Sequence, residues 1–232
     1  GERSSGKSKW AERLTAVFYN DRAAFNLNSG TDYAFFEYMR SFRNCPARLN
    51  EFDDKVVKDE LFQAIKGVFD GESRVRGKMG SRTQLEIQKV LSGLILTGQY
   101  LSTKDDNSIT TRSLIRPFHE KSYSQKEKQD YDELKEWEAK GISGLLLDVL
   151  QYRKEIEAGY YETFNEQLGE WRRNTSGEFN SRIFQNWCHL AAIWQLLASK
   201  INLPAAANDF TELCFHNAKE MSKFVRSSDT LT

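Results

Sequence analysis

The chain has 232 residues, of which 39% are hydrophobic and 28% are charged. This length and composition exclude a disordered chain and fit one α/β domain, or an α/β core with a helical appendage. Because 33 Lys and Arg residues balance 33 Asp and Glu residues, the chain does not have the basic character of a protein that coats nucleic acid, and any such contact must come from a local basic patch.

The sequence also predicts where the protein is found in the cell. No apolar run is long enough to span a membrane, and the first residues lack the layout of a secretory signal. The three cysteines are widely spaced and do not form a disulfide framework. We therefore expect a cytoplasmic protein with no membrane partner.

The first eight residues match the phosphate-binding loop G-x-x-x-x-G-K-[ST]. In such a loop the glycines let backbone N–H groups turn toward phosphate oxygens, the lysine contacts the β- and γ-phosphates, and the hydroxyl ligates Mg²⁺. The alternative is a Gly/Ser-rich terminus that matches by chance. The predicted nucleotide-binding residues are Gly1, Ser4, Ser5, Gly6, Lys7 and Ser8, with Ser8 also a predicted Mg²⁺ ligand.

A helix is predicted over residues 10–18, with its positive N-terminal end directed at the same phosphates. A phosphate-binding loop normally follows a buried strand, and no residue precedes this one. We therefore expect that the first strand of the core is missing and that nucleotide affinity is low as a result.

The second expected feature is an acidic pair at the tip of a core strand. A short strand is predicted over residues 24–27 and a capped helix over 32–42, before the segment 44–54. In an ATPase of this type the first acid holds Mg²⁺ through water and the second polarises the attacking water. Here the pair is Asn50-Glu51, so Glu51 is the predicted general base. Asn50 can hydrogen-bond a metal-bound water but has no charge, which predicts weaker Mg²⁺ binding and slower turnover; the alternative is a solvated acidic loop.

A helix over residues 58–69 is followed by a predicted turn-rich loop over 70–82. The loop contains a basic cluster among glycines, and in a helicase ring such a loop could hold backbone phosphates of DNA. The alternative is an ordinary exposed hairpin. The predicted DNA-binding residues are Arg74, Arg76 and Lys78.

Two further residues are predicted to act on the nucleotide. The apolar run 90–99 suits a buried parallel strand, and Thr97 at its polar tip is the first choice to contact the attacking water or the γ-phosphate, with Gln99 the second. Residues 105–118 predict a short helix, an arginine and a last strand. Arg112 lies where a ring ATPase presents an arginine to its neighbour's nucleotide, and Arg116 is a weaker candidate. The alternatives are simple strand capping for Thr97 and a surface ion pair for Arg112.

Taken in order, these motifs resemble the helicase-like ATPase domains attached to DNA primases of phages, plasmids and mobile elements, especially those of Bacteroides-type bacteria. The resemblance covers residues 1–120 well and the following helices loosely. It implies a fold of the broad AAA+/superfamily-3 kind, ATP and Mg²⁺ as cofactors, ATP hydrolysis, assembly into a homo-oligomeric ring, and single-stranded DNA and a primase domain as partners. The motifs are the phosphate-binding loop, Asn44-Cys45-Pro46 before Leu49-Asn50-Glu51-Phe52, the run Leu94 to Gln99, and Thr111-Arg112-Ser113.

The predicted organisation is an α/β P-loop core with a small, mainly parallel sheet over residues 1–120, and a helical lid or bundle over 121–232. Helices are expected over 124–139, 142–156, 157–172, 181–199 and 208–226. Their aromatic residues are read as core and not as a platform for stacking bases. Cys188-His189 and Cys214-x-His216 lack the usual spacing of zinc ligands, so metal binding there is not expected.

Three functions remain open at this point. The first is an ATP-driven motor on single-stranded DNA, which we prefer. The second is a nucleotide-gated oligomerisation or interaction module with little hydrolysis, which Asn50 favours. The third is a structural helical protein whose loop motif is accidental.

Overall fold

A computed structural model gives the structure of the chain and describes residues 5–19, 22–77, 85–102, 104–120, 122–175 and 179–229. The chain divides into two compact units, each built from two stretches of sequence. The first unit contains residues 1–102 and 117–144, and the second contains residues 103–116 and 145–232. The division into domains at residue 120 stays a prediction.

The first unit contains a three-stranded parallel sheet in the order β1-β2-β5. Leu49 is the centre of its register, because it pairs with Phe25 on one side and with Leu96 on the other. The α/β class and the small parallel sheet are therefore confirmed. The strands are β1 (Phe25–Asn26), β2 (Ala47–Phe52), β3 (Ser73–Gly77), β4 (Leu85–Lys89) and β5 (Leu94–Gly98).

Helices cover this sheet and close its core. The helix α1 contacts β2 and β5, and α2 contacts α3. The predicted cap of α2 is present, since the Thr31 hydroxyl accepts a hydrogen bond from the Ala34 backbone N–H at 3.2 Å. The helices are α1 (Lys7–Thr15), α2 (Asp32–Arg40) and α3 (Asp59–Phe69). The fully buried side chains include Leu27, Phe35, Leu49, Leu61 and Phe62.

Between β2 and β5 the chain forms an antiparallel hairpin of β3 and β4, in which Ser73 pairs with Lys89 and Gly77 with Leu85. The predicted turn-rich loop over 70–82 is thus wrong for residues 73–77, which form a strand of this hairpin, whereas contact with DNA stays a prediction. Leu85 and Ile87 alternate with polar residues, which is the period of a strand. In the segment 70–82, Gly71, Gly77 and Gly80 favour a turn-rich loop and so hid the strand period of β3.

The helix α5 (Gln125–Lys140) also belongs to the first unit and agrees with the prediction over 124–139. Ser124 and Glu127 form a capping box, in which each side chain accepts a hydrogen bond from the other residue's backbone N–H. The helix ends at Gly141, whose φ of 96° is a conformation that glycine adopts at little cost. Local capping therefore fixes both ends of this charged helix.

The second unit is mainly helical, and three of its helices pack in sequence, α7 against α8 and α8 against α9. Phe184 is fully buried and Trp187 is 8% exposed, so the reading of these aromatic residues as core is confirmed. The helices are α4 (Lys104–Asn107), α6 (Gly144–Leu150), α7 (Arg153–Arg173), α8 (Ser181–Ala198) and α9 (Ala207–Asp229), with a short 3-10 turn at Thr110–Arg112.

Two expectations about this part of the chain are wrong. Residues 113–120, all described, contain no strand; Ile115 packs on the helical core instead, and Pro117 has no N–H to give a sheet. The segment 142–156 is not one helix, because α6 ends at Leu150 and α7 begins at Arg153, and Leu145 and Leu150 on its apolar face are exposed. Periodicity predicted helical structure there but could not reveal whether a partner covers it.

Candidate functional site

The start of α1 has the geometry of a loop that opens into a helix. Gly6 is the residue before the helix, with φ 86° and ψ 2°, and its carbonyl accepts the N–H of Trp10 at 2.9 Å. This left-handed conformation suits glycine and disfavours a residue with a β-carbon. Lys7 Nζ donates to the hydroxyl of the buried Ser5 at 3.4 Å. The N-terminal amides of a helix attract anions, and a lysine beside them adds to that attraction.

The predicted loop is described only in part. Ser5, Gly6, Lys7 and Ser8 are within the described residues, and Ser8 is exposed in the first turn of α1. The predictions for Gly1 and Ser4 lie outside them.

The ends of two neighbouring strands bring a pair of predicted residues together. Thr97 Oγ1, on β5, donates a hydrogen bond to Asn50 Oδ1, on β2, at 2.9 Å. Both strands are parallel, so their carboxyl ends meet at one edge of the sheet. The two residues are 47 positions apart in sequence, and the hydrogen bond joins their side chains next to Glu51 in the chain.

Glu51 lies in an irregular part of β2. The register with β5 shifts between Leu49 and Phe52, and the φ of Glu51 is 61°, a value that a residue with a β-carbon rarely adopts. Such a conformation costs on the order of 1 kcal/mol, and residues held in it concentrate at functional sites. The Glu51 side chain is exposed. A bulge at a strand end can re-aim a side chain, and this register shift falls at the predicted general base.

The same irregularity explains one glycine on the adjacent strand. A β-carbon added to Gly98 would lie 2.4 Å from the carbonyl oxygen of Phe52. No real contact of a β-carbon is this short, so the two strands approach closely only because residue 98 is glycine. At this strand end, Gly98 thus permits the close approach of the two strands, and Thr97 provides the polar contact.

Arg112 belongs to the second unit, whereas Glu51 and Thr97 belong to the first. Its Nη1 donates to the carbonyl oxygen of Ser108 at 3.0 Å, within the same turn of chain. The turn is held to α8 by Asn186, whose side-chain amide donates to the Thr111 carbonyl at 3.1 Å. Arg112 therefore lies in a well-anchored turn, and its role toward a neighbouring subunit stays a prediction.

The predicted DNA contacts fall on the hairpin. Arg74 and Arg76 lie in β3, where the backbone register places them opposite Gln88 and Glu86 of β4. Lys78 lies outside the described residues. The hairpin replaces the predicted loop as the element that positions this basic cluster.

The cysteines of α8 and α9 are buried packing residues. Burial raises the pKa of Cys188 and of Cys214 to about 12, and Cys188 Sγ lies 3.5 Å from the Phe164 carbonyl oxygen as a donor. Burial also lowers the pKa of His189, whose ring stacks on Phe164 with 4.4 Å between centroids. In the part of the chain that the structure describes, no group of three His, Cys, Asp or Glu residues is placed to hold a metal ion.

Sequence reasoning missed the contacts that α1 makes with residues beyond 117. Trp10 packs edge-on against Phe118, Arg13 forms an ion pair with the buried Glu138, and the Tyr123 hydroxyl lies close to Gly6. These contacts join positions more than 100 residues apart. No local pattern in a charged segment such as 118–140 indicates them.

Comparisons with known proteins give one informative likeness. No protein-family model and no curated protein matches the sequence. The structure is similar to that of SCCmec type IV Cch, described as an active helicase, with a TM-score of 0.68 and 15% sequence identity. The likeness covers 95% of this chain and 41% of Cch, so the chain spans less than half the length of that protein. It shows a shared, helicase-like α/β fold.

One further observation concerns membranes: among the described helices, none combines the length and the apolar character that crossing a bilayer requires.

Proposed function

We propose that the chain is the P-loop ATPase part of a helicase-like motor that acts on single-stranded DNA. The observation that carries the proposal is the hydrogen bond of 2.9 Å between Thr97 and Asn50, the residue before Glu51. The two strands that hold this pair, β5 and β2, both contact α1, which follows Gly6. The fold shared with the active helicase Cch supports it.

In this proposal each residue has a distinct role. The backbone amides after Gly6 and the ammonium of Lys7 bind the phosphate chain. Glu51 accepts a proton from the attacking water, and its exposed carboxylate on a bulge is able to reach a bound molecule. Thr97 holds Asn50 in place through the hydrogen bond that its hydroxyl donates.

The residues fit Mg²⁺ in part. Mg²⁺ prefers oxygen ligands and usually retains several waters while it is held by phosphates and one or two carboxylates. The Ser8 hydroxyl is exposed in the first turn of α1 and suits this role. Asn50 offers an amide oxygen that accepts from Thr97 and keeps a second lone pair, which would accept from a water on the ion. The ion would screen the phosphate charge, and the neutral Asn50 would leave its binding weaker than an aspartate does.

The remaining parts of the proposal concern partners. We place single-stranded DNA at the β3–β4 hairpin, where Arg74 and Arg76 lie, because phosphate contacts of basic residues supply affinity independent of sequence. A homo-oligomeric ring would let Arg112 reach the nucleotide of a neighbouring subunit. A primase domain, and a role in replication of a phage or mobile element, follow from the sequence resemblance.

One observation favours a second function. Because Asn50 is neutral and engaged by Thr97, the site lacks the first carboxylate of the usual acidic pair. A protein of this kind could bind nucleotide and change its assembly with little hydrolysis.

Steady-state hydrolysis of Mg-ATP with and without single-stranded DNA separates the two functions. The motor predicts turnover that rises with DNA and is lost in Glu51→Gln. Glu162→Gln is the matched control, because Glu162 is an exposed carboxylate in the second unit and should leave turnover unchanged. Nucleotide-dependent oligomerisation without turnover would support the second function and contradict the first.

A further inference from the structure

The segment that follows residue 117 is fastened to α1 at two places within the first unit. Phe118 packs against Trp10 with ring centroids 5.5 Å apart and an interplanar angle of 66°. Glu138, on α5, is 6% exposed and forms an ion pair with Arg13. Removing one partner of a buried pair leaves an uncompensated charge, so this contact resists separation. Two points of this segment, Phe118 and Glu138, are therefore fixed on α1.

Tyr123 lies between the two fastening points in sequence, and its hydroxyl is held beside the phosphate-binding loop. Its Oη is 3.5 Å from the position that a β-carbon on Gly6 would take. Gly6 is the left-handed residue from which α1 begins, so the hydroxyl lies at the N-terminal end of this helix. The side chain is 48% exposed, which a residue needed only to fill the core would not be.

We propose that Tyr123 is a nucleotide-binding residue and that its hydroxyl donates a hydrogen bond to an oxygen of the phosphate chain. This inference rests on the proposed function, because it requires a nucleotide at the loop. The loop carries positive potential from Lys7 and the helix N-terminus, and a phenol hydroxyl adds a donor at the same place. A hydrogen bond to a charged oxygen is stronger than one between neutral groups.

The proposal has a consequence for the shape of the site. Gly6 and Lys7 would contact the nucleotide from one stretch of the first unit and Tyr123 from the other, so the nucleotide would be held between the two. Because Gly6 lies at the helix N-terminus, which holds phosphates common to both nucleotides, we expect Tyr123 to act on ADP as well as on ATP.

The test is the affinity of Tyr123→Phe for Mg-ATP and Mg-ADP, measured by isothermal titration beside the parent chain. The change removes one hydroxyl and keeps the ring, so the fold is expected to persist, and a thermal melt checks it. We expect about tenfold weaker binding of both nucleotides, since a hydrogen bond to a charged group is lost. Tyr161→Phe, on a side chain 73% exposed in the second unit, is the matched control and should bind as the parent does.

Lys7→Ala separates this inference from the proposed function. If the parent binds nucleotide, Lys7→Ala does not, and Tyr123→Phe equals the parent, the proposed function stands and the role of Tyr123 is refuted. If Tyr123→Phe equals the parent while Tyr123→Ala binds weakly, the ring and not the hydroxyl matters, which also refutes the phosphate contact. If the parent fails to bind either nucleotide, both proposals fail.

Discussion

The strand ends of the first unit and the helical core of the second unit are built on different principles. In the core of α7, α8 and α9, buried aromatic and aliphatic side chains contact one another, and Phe184 and Ile183 have no exposed surface. At the strand ends, one hydrogen bond joins two polar residues, and a glutamate is held in a left-handed conformation. Close packing stabilises the helical core. The strand ends keep polar groups and a strained backbone, which lower stability and are typical of functional sites.

The largest expected effect on stability is in the helical core. Phe184→Ala should lower the free energy of unfolding by about 3–5 kcal/mol, because it removes a fully buried ring and leaves a cavity. Chemical denaturation measures this. Leu147→Ala, at a side chain 68% exposed on α6, should change it by less than about 0.5 kcal/mol. Equal effects of the two changes would contradict the division between core and exposed helix.

Glu51→Gly sharpens the comparison at the strand end. We expect it to raise the free energy of unfolding by about 1 kcal/mol, because glycine adopts the φ of 61° without a β-carbon clash. Hydrolysis should be lost with the carboxylate. Glu51→Gln should lose hydrolysis equally and leave stability unchanged, so denaturation of the two variants separates strain from chemistry. A glycine variant less stable than the glutamine variant would show that the conformation is not strained.

The pair of Thr97 and Asn50 should be coupled by about 1 kcal/mol, the usual net value of a hydrogen bond between neutral groups. A double-mutant cycle of Thr97→Val, Asn50→Ala and both together measures the coupling in the free energy of unfolding. Strict additivity of the two single changes would mean that the hydrogen bond contributes nothing.

The buried thiols should give the smallest effect. Burial holds the pKa of Cys188 and Cys214 near 12, above the ordinary value of 9.0, so the folded chain retains protons that the unfolded chain loses. Their contribution to stability is complete well below pH 9, begins to fall as the unfolded thiols ionise near pH 9, and is lost as pH rises toward 12. Between pH 8 and pH 9 the free energy of unfolding should fall by about 0.7 kcal/mol for the two thiols together.

A double variant, Cys188→Ala with Cys214→Ala, isolates this effect from other groups that titrate in the same range. Its unfolding free energy should show a shallower slope with pH than that of the parent. Identical slopes would mean that the thiols ionise equally in both states.

The comparison also explains what the sequence could and could not predict. The parallel strands, α5 and the buried Phe184 follow from periodicity and capping, which are local and repeat along the chain. Asn50 and Thr97 were identified because each lies at the polar tip of a predicted strand, whereas the hydrogen bond between them was not predicted. The left-handed Glu51 was not predicted, since a bulge depends on how two strands pair and not on the type of the bulged residue.

Contacts across long stretches of chain were beyond reach for a related reason. The hydroxyl of Tyr123 meets Gly6 only because Phe118 and Glu138 fasten their segment to α1. Each of these residues has an ordinary neighbourhood in sequence. Most leucines of α6 are exposed although their spacing is apolar and helical, because an apolar pattern does not reveal whether another element covers it.

The most direct test of the central claim is the binding of Mg-ATP to the chain by isothermal titration, beside Lys7→Ala and Lys9→Ala. Lys9 is an exposed lysine two residues further along α1 that pairs with Glu12, so its loss controls for general charge. The account predicts binding by the parent and Lys9→Ala, with affinity at least about 100-fold weaker in Lys7→Ala, since the ammonium on the phosphates is lost. No binding by the parent, or equal binding by all three, would contradict a phosphate-binding loop at Gly6-Lys7-Ser8.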